Sequence, residues 1–99
     1  MEKKVSIIVS VYKAEEFIKR CVDSLLRQTY QNIEIILIED GSPDRSGEII
    51  DNYTDPRIKV VHNPNLGVSH TRNVGLALAS GDYVTFCDSC YRSYINDDK

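Results

Sequence analysis

The sequence has no long hydrophobic run, no cluster of basic residues and no glycine-rich phosphate motif. Each absence removes a class of function. No apolar stretch approaches the roughly 20 residues that a helix needs to span a bilayer, so no membrane span is expected. The 12 Lys and Arg are scattered and outnumbered by 15 Asp and Glu. The net charge of −3 gives no electrostatic footprint for nucleic acid. Neither G-x-G-x-x-G nor a P-loop occurs, so a nucleotide bound here would not rest in a glycine cradle. Cysteine is scarce: three residues, an odd number, not spread as a secreted disulfide framework would be. A reducing, cytoplasmic compartment is therefore expected. The first strand is expected within four residues of the start, so no signal peptide is expected. Internal repeats, linkers and low-complexity stretches are also missing.

What remains is an ordinary globular composition, 41% hydrophobic and 27% charged over 99 residues. That length argues for one domain or part of one, with a modest core that buries roughly 60 to 70% of the unfolded surface. "VSIIVSV" (Val5 to Val11) is a short, β-branched, nearly continuous apolar run, the pattern of a strand covered on both faces. In "EEFIKRCVDSLLRQT" the residues Phe17, Ile18, Cys21, Val22, Leu25 and Leu26 recur at helical spacing, with Cys21 on the inner face. "IEIILIED" (Ile33 to Asp40) is a second buried strand, broken by Gly41. Ser42 is expected to cap a short helix beginning at Pro43, with Ile49, Ile50 and Tyr53 inward. A third strand covers Ile58 to His62. A third helix follows, with Val68, Val74, Leu78 and Ala79 inward, and Gly81 is expected to end it in a left-handed conformation. "DYVTFC" (Asp82 to Cys87) is a fourth strand, and Tyr91 to Lys99 reads as a polar tail. The order β-α-β-α-β-α-β with short connections predicts an α/β fold: a parallel sheet with helices on both faces.

Such sheets bind ligands at the carboxyl ends of their strands. Those ends deliver Ser10, Val11, Tyr12 and Glu15, then Glu39, Asp40, Gly41 and Ser42, then "HNPNLG" leading to Arg72, then "CDSC" with Asp88 and Ser89. Asp40 alone could also be a turn residue, Arg72 a solvated helix residue and Tyr12 a packing aromatic. Glu15 fits the first turn of its helix, where negative charge is favoured. His62 and His70 lack ligand spacing and read as surface or structural residues. Cys87 and Cys90 form a C-x-x-C, which raises redox or zinc chemistry. Asp88 between them opposes the thiolate that redox work needs, and no second C-x-x-C or His pair completes a zinc site.

The stretches "VSIIVSVYKAEEFIKRCVDSLLRQTYQNIEIILIEDGSPD" and "NLGVSHTRNVGLALASGDYVTFCDS" resemble the inverting nucleotide-sugar glycosyltransferases of family two, whose fold is termed GT-A. The resemblance spans roughly residues 4 to 89. It implies the Rossmann-like nucleotide-binding half of that fold over residues 1–90, with the tail of 91–99 outside it, and a strand order of 3-2-1-4. It also implies that Ser10, Val11 and Tyr12 line the nucleotide pocket, with Tyr12 near the base. Asp40 would accept a hydrogen bond from the base, usually uracil. Glu15 resembles the acidic residue that follows the first segment, and Arg72 the arginine beside the nucleotide. Asp88 matches the first aspartate of a D-x-D motif, followed by Ser89. In that motif hard oxygen ligands hold a divalent cation, Mn²⁺ or Mg²⁺, against the diphosphate.

Two departures qualify what the resemblance implies. Cys90 stands where the second aspartate is usual, and Tyr91 at the next acidic position. A thiol is a poor ligand for Mg²⁺ or Mn²⁺, which puts the cation in doubt. In the family the acceptor half and the catalytic base follow this motif, so no residue here is expected to be a general base. The expected partner is a nucleotide-diphosphate sugar such as a UDP-sugar, serving glycan or polysaccharide synthesis. A truncated or decayed nucleotide-binding module is the alternative. A fourth strand without a covering neighbour would present an open edge, so a homodimer through that edge or nearby apolar surface, or aggregation, is also expected.

Overall fold

The structure, a computed structural model, describes residues 3–88. It contains β1 (Val5–Val11), α1 (Ile18–Arg27), β2 (Ile33–Asp40), α2 (Ser46–Asp51), β3 (Ile58–Asn63), α3 (Val68–Leu78) and β4 (Tyr83–Asp88). The strands form one sheet in the order β3-β2-β1-β4, and every pairing is parallel. This is the α/β architecture and strand order that the sequence predicts.

Side chains along a strand alternate between the two faces of the sheet. Ile7, Val9 and Val11 of β1 join Ile33, Ile35 and Leu37 of β2 against Ile18, Cys21 and Val22 of α1 and Ile50 of α2. On the other face Ile8, Ile36 and Ile38 pack against Val74 of α3 and Ala79. Every residue of β2 is buried, which explains its unbroken apolar run. Gly75 lets α3 come this close: a Cβ there would lie 2.5 Å from Cγ2 of Ile8.

Several element ends differ from expectation, the strand ends by one residue and the helix ends by more. α2 begins at Ser46, not Pro43, and Ser42 does not cap it. The Asp44 carboxylate turns the chain instead, accepting from the Ser46 backbone N–H at 3.0 Å. Ser42 is drawn away because its hydroxyl accepts from the Lys13 N–H at 2.7 Å and donates to Asp44. α3 ends at Leu78, through an extended Ala79 (φ −68°, ψ 132°). Leu78, expected inward, is 40% exposed. Gly81 is not left-handed; the glycines with positive φ are Gly41 and Gly67. Gly81 is needed for close approach, since a Cβ would meet the Lys4 carbonyl oxygen at 2.8 Å and the Ser6 Oγ at 2.7 Å. The side chains of Val68 and Asp88, and all of Ser89, Cys90 and the expected tail of 91–99, lie outside the described residues.

Candidate functional site

The carboxyl ends of the four strands form one rim. Parallel register places Ser10 of β1 opposite Ile38 on β2 and opposite Asp88 on β4, and Asp40 opposite Asn63 on β3. Expected site residues from the first, second and fourth strands are thus gathered on one side of the sheet.

Glu39 and Asp40 are adjacent in sequence, and the alternation of the strand sends them to opposite faces. Asp40, 5% exposed, turns toward the start of α3. Its Oδ1 accepts from the Leu66 N–H and its Oδ2 from the Gly67 N–H, each at 2.9 Å. A carboxylate offers about four acceptor positions, so these two bonds anchor the loop after β3 without exhausting Asp40. That loop lies tight on the one after β2: a Cβ on Gly41 would fall 2.6 Å from the Asn65 backbone nitrogen.

Glu39 turns to the α2 side. Its Oε2 accepts from the Ser42 N–H. Its Oε1 lies 2.8 Å from His62 Nδ1, and His62 Nε2 lies 2.8 Å from Asp51 Oδ1. The hydrogen bond to Glu39, then that to Asp51, raises the His62 pKa above the ordinary imidazole value. His62, read from the sequence as an isolated histidine, is therefore clamped between two carboxylates. Both partners lie on other elements, and sequence spacing carries no sign of them.

The segment after β1 is laced to the segment after β2. Besides the Lys13 bond to Ser42, the Ala14 N–H donates to Ser46 Oγ at 2.9 Å and the Glu15 N–H to Asp44 Oδ2 at 3.2 Å. The Glu15 carboxylate in return accepts the Arg45 N–H at 2.9 Å. Glu15 precedes α1, which starts at Ile18, so it does not serve the first turn of that helix. Burial pushes the Asp44 pKa up, but hydrogen bonds from Ser42 and Ser46 outweigh it and hold the carboxyl at about 2. Asp44 and Ser46 are the rim-supporting residues that sequence reasoning missed, and Ser42, read as a helix cap, joins them in that support.

Of the other expected residues, Tyr12 is half-buried, with Lys13 Nζ 5.6 Å from its ring centre. Val11 is fully buried in the α1-side core, so only its backbone reaches the rim. Arg72 is exposed on α3, its guanidinium 5.2 Å from the ring centre of Phe86 on β4. Among the described residues no group of three or more His, Cys, Asp or Glu side chains is placed to hold a metal ion. In the sequence the candidate cation donors at the end of β4 are Asp88 and, two residues on, Cys90, whose side chains lie outside the described residues. One carboxylate with a soft thiol does not fit Mg²⁺ or Mn²⁺. Among the described residues no helix is long and apolar enough to cross a membrane.

Comparison with known proteins agrees with this architecture. The sequence model of Glycosyl transferase family 2 matches residues 6–89. A Bacillus subtilis (strain 168) protein described as the uncharacterized glycosyltransferase EpsJ is 56% identical over 86 residues, covering 85% of this chain and 25% of its own length. Glycosyltransferase GlyG of Streptococcus pneumoniae is 44% identical over 92 residues, covering 90% of this chain and 31% of its own. The chain thus spans a quarter to a third of the length of these two relatives. Among solved structures, S. aureus TarS 1-349 in complex with UDP-GlcNAc shares 32% identity and a TM-score of 0.79, over 87% of this chain and 26% of that one. Its complex with UDP matches at a TM-score of 0.72 and 29% identity, over 87% of this chain and 27% of that one. A parallel sheet in the order β3-β2-β1-β4, a rim at its carboxyl ends and a family match over most of the length lead to one conclusion: the chain belongs to glycosyl transferase family 2.

Proposed function

We propose that this chain is the donor-binding part of a glycosyltransferase that takes its sugar from a nucleoside diphosphate sugar, with uridine diphosphate as carrier, and delivers it to a glycan or polysaccharide. The observation that carries the reading is the likeness, over 87% of the chain at 32% identity, to a protein solved with UDP-GlcNAc. Asp40 uses a remaining lone pair to accept an N–H of the base. Tyr12 offers its ring to the base, and Ser10 and the Val11 backbone form the floor. Arg72 supplies positive charge for the diphosphate, toward which Asp88 and Ser89 lead. Glu15 acts through Arg45, by holding the loop that borders the pocket. In this reading the chain binds and orients the donor, and no described residue serves as catalytic base. The cytoplasm, where nucleotide sugars are made, is the proposed compartment.

Calorimetry with UDP tests the reading. The chain is expected to release binding heat at or below millimolar UDP, and Asp40→Asn to weaken binding by at least about tenfold. Unfolding of that variant is measured beside it, because Asp40 also anchors Leu66 and Gly67. The absence of heat at millimolar UDP would overturn the proposal. A second reading, a nucleotide-binding module without transfer, is favoured by Cys90 in the place of an acidic ligand. UDP binding without transfer from UDP-GlcNAc to any glycan acceptor supports it, and transfer by the chain excludes it.

A further inference from the structure

The C-x-x-C draws attention to Cys87 and Cys90, but the fold gives Cys87 a different neighbour. Cys21 and Cys87 are 66 positions apart in sequence, and their sulfurs stand 3.9 Å apart. Cys21 lies on the sheet-facing side of α1 and is 1% exposed. Cys87 is on the same side of β4, packed against the α1-side core and half-buried. Among the described residues β4 is an edge strand of the sheet. A groove lined by Leu25, Gln28, Tyr30, Thr85 and Cys87 runs along this edge and opens Cys87 to solvent.

We propose that Cys21 and Cys87 are a redox-responsive dithiol, oxidised by a small disulfide such as glutathione disulfide to an intramolecular bridge between α1 and the end of β4. Cys87, the more accessible sulfur, reacts first; the neighbouring Asp88 disfavours its thiolate and so slows this step without blocking it. It loses its proton to water and attacks one sulfur of the small disulfide, releasing one thiolate. Cys21 then loses its proton and attacks the Cys87 sulfur of the mixed disulfide, expelling the second thiolate. Two protein thiols give up two electrons and two protons, and one small disulfide becomes two thiols. A disulfide needs its sulfurs about 2.05 Å apart, so the pair closes by about 2 Å, within reach of side-chain rotation and a small shift of the edge strand. The bridge fixes the strand one residue before Asp88. It closes a long loop in the unfolded chain, so oxidation stabilises the fold. None of this rests on nucleotide binding.

The test uses the whole reduced chain, equilibrated with glutathione and glutathione disulfide, alkylated, and digested with trypsin without reduction. Residues 21–27 and 73–92 are the two tryptic peptides that hold all three cysteines. In the native sequence and in Cys90→Ser, peptide 21–27 is expected to be joined to 73–92, with the mass of two hydrogens lost. In Cys87→Ser that link is expected to vanish. The thermal midpoint of Cys90→Ser is expected to rise by roughly 5 °C or more on oxidation and to return on adding dithiothreitol. The proposal is overturned if oxidised Cys90→Ser leaves peptide 21–27 alkylated, if it is linked only between chains, or if the link survives in Cys87→Ser.

Discussion

His62 shows how a single residue changes meaning once its surroundings are known. Each ring nitrogen faces a carboxylate oxygen at 2.8 Å, and only the doubly protonated ring donates to both. Its folded pKa therefore lies above the ordinary value, through Glu39 first and Asp51 second. The stability it adds is complete below the unfolded imidazole pKa and is lost as pH rises through the folded one. Urea unfolding of the native chain is expected to show stability falling across that window, and His62→Asn is expected to flatten the fall. An equal slope in both proteins would refute the clamp. Asp40 carries a similar lesson. As a carboxylate ending a strand it was legible from "EDGS"; its burial was not. Nor were its bonds to Leu66 and Gly67, because those donors come 26 and 27 positions later.

At the scale of elements, the amino ends of the strands are joined by a buried carboxylate. Glu34 of β2, 3% exposed, accepts from the Ser6 hydroxyl of β1 and from the Ser80 N–H at 2.6 Å. Lys59 of β3 lies 3.0 Å from its other oxygen. Burial pushes the Glu34 pKa up, but the hydrogen bonds from Ser6, Ser80 and Lys59 outweigh it and hold the group at about 2. A depressed carboxyl pKa contributes stability above its unfolded value that is lost as pH falls through the folded one. For Glu34 that is the range from 4.5 down to about 2. Up to about 3 kcal/mol is expected to disappear over that range. Glu34→Gln is expected to be less stable at neutral pH and to lose less on acidification, as read by circular dichroism. Sequence patterning identified β2 as a buried strand. It gave no reason for the glutamate within that strand, since the partners come from β1, β3 and the loop after α3.

For the molecule as a whole, the sheet is covered unevenly. β2 is wholly buried, whereas Tyr83, Val84 and Phe86 of β4, the edge strand among the described residues, are 59, 39 and 43% exposed. Edge strands with exposed apolar side chains are sites for pairing with another chain. We propose that the 99-residue chain self-associates through this strand. Light scattering at rising concentration is expected to show a growing mean mass, and Val84→Lys to reduce it. A constant monomer mass in the native chain would sink the idea.

The sequence by itself determined the alternation of strands and helices, the parallel sheet, the burial of β2 and the family. All of these follow from local periodicity and from motifs read in order. Tertiary structure alone decided that Cys21 meets Cys87, that His62 sits between Glu39 and Asp51, and that Ser42 serves Lys13 and not α2. Those contacts depend on strand register and on how crossovers bring distant segments together. A linear pattern fixes which face of an element is apolar, but not which polar groups the opposite element brings to it.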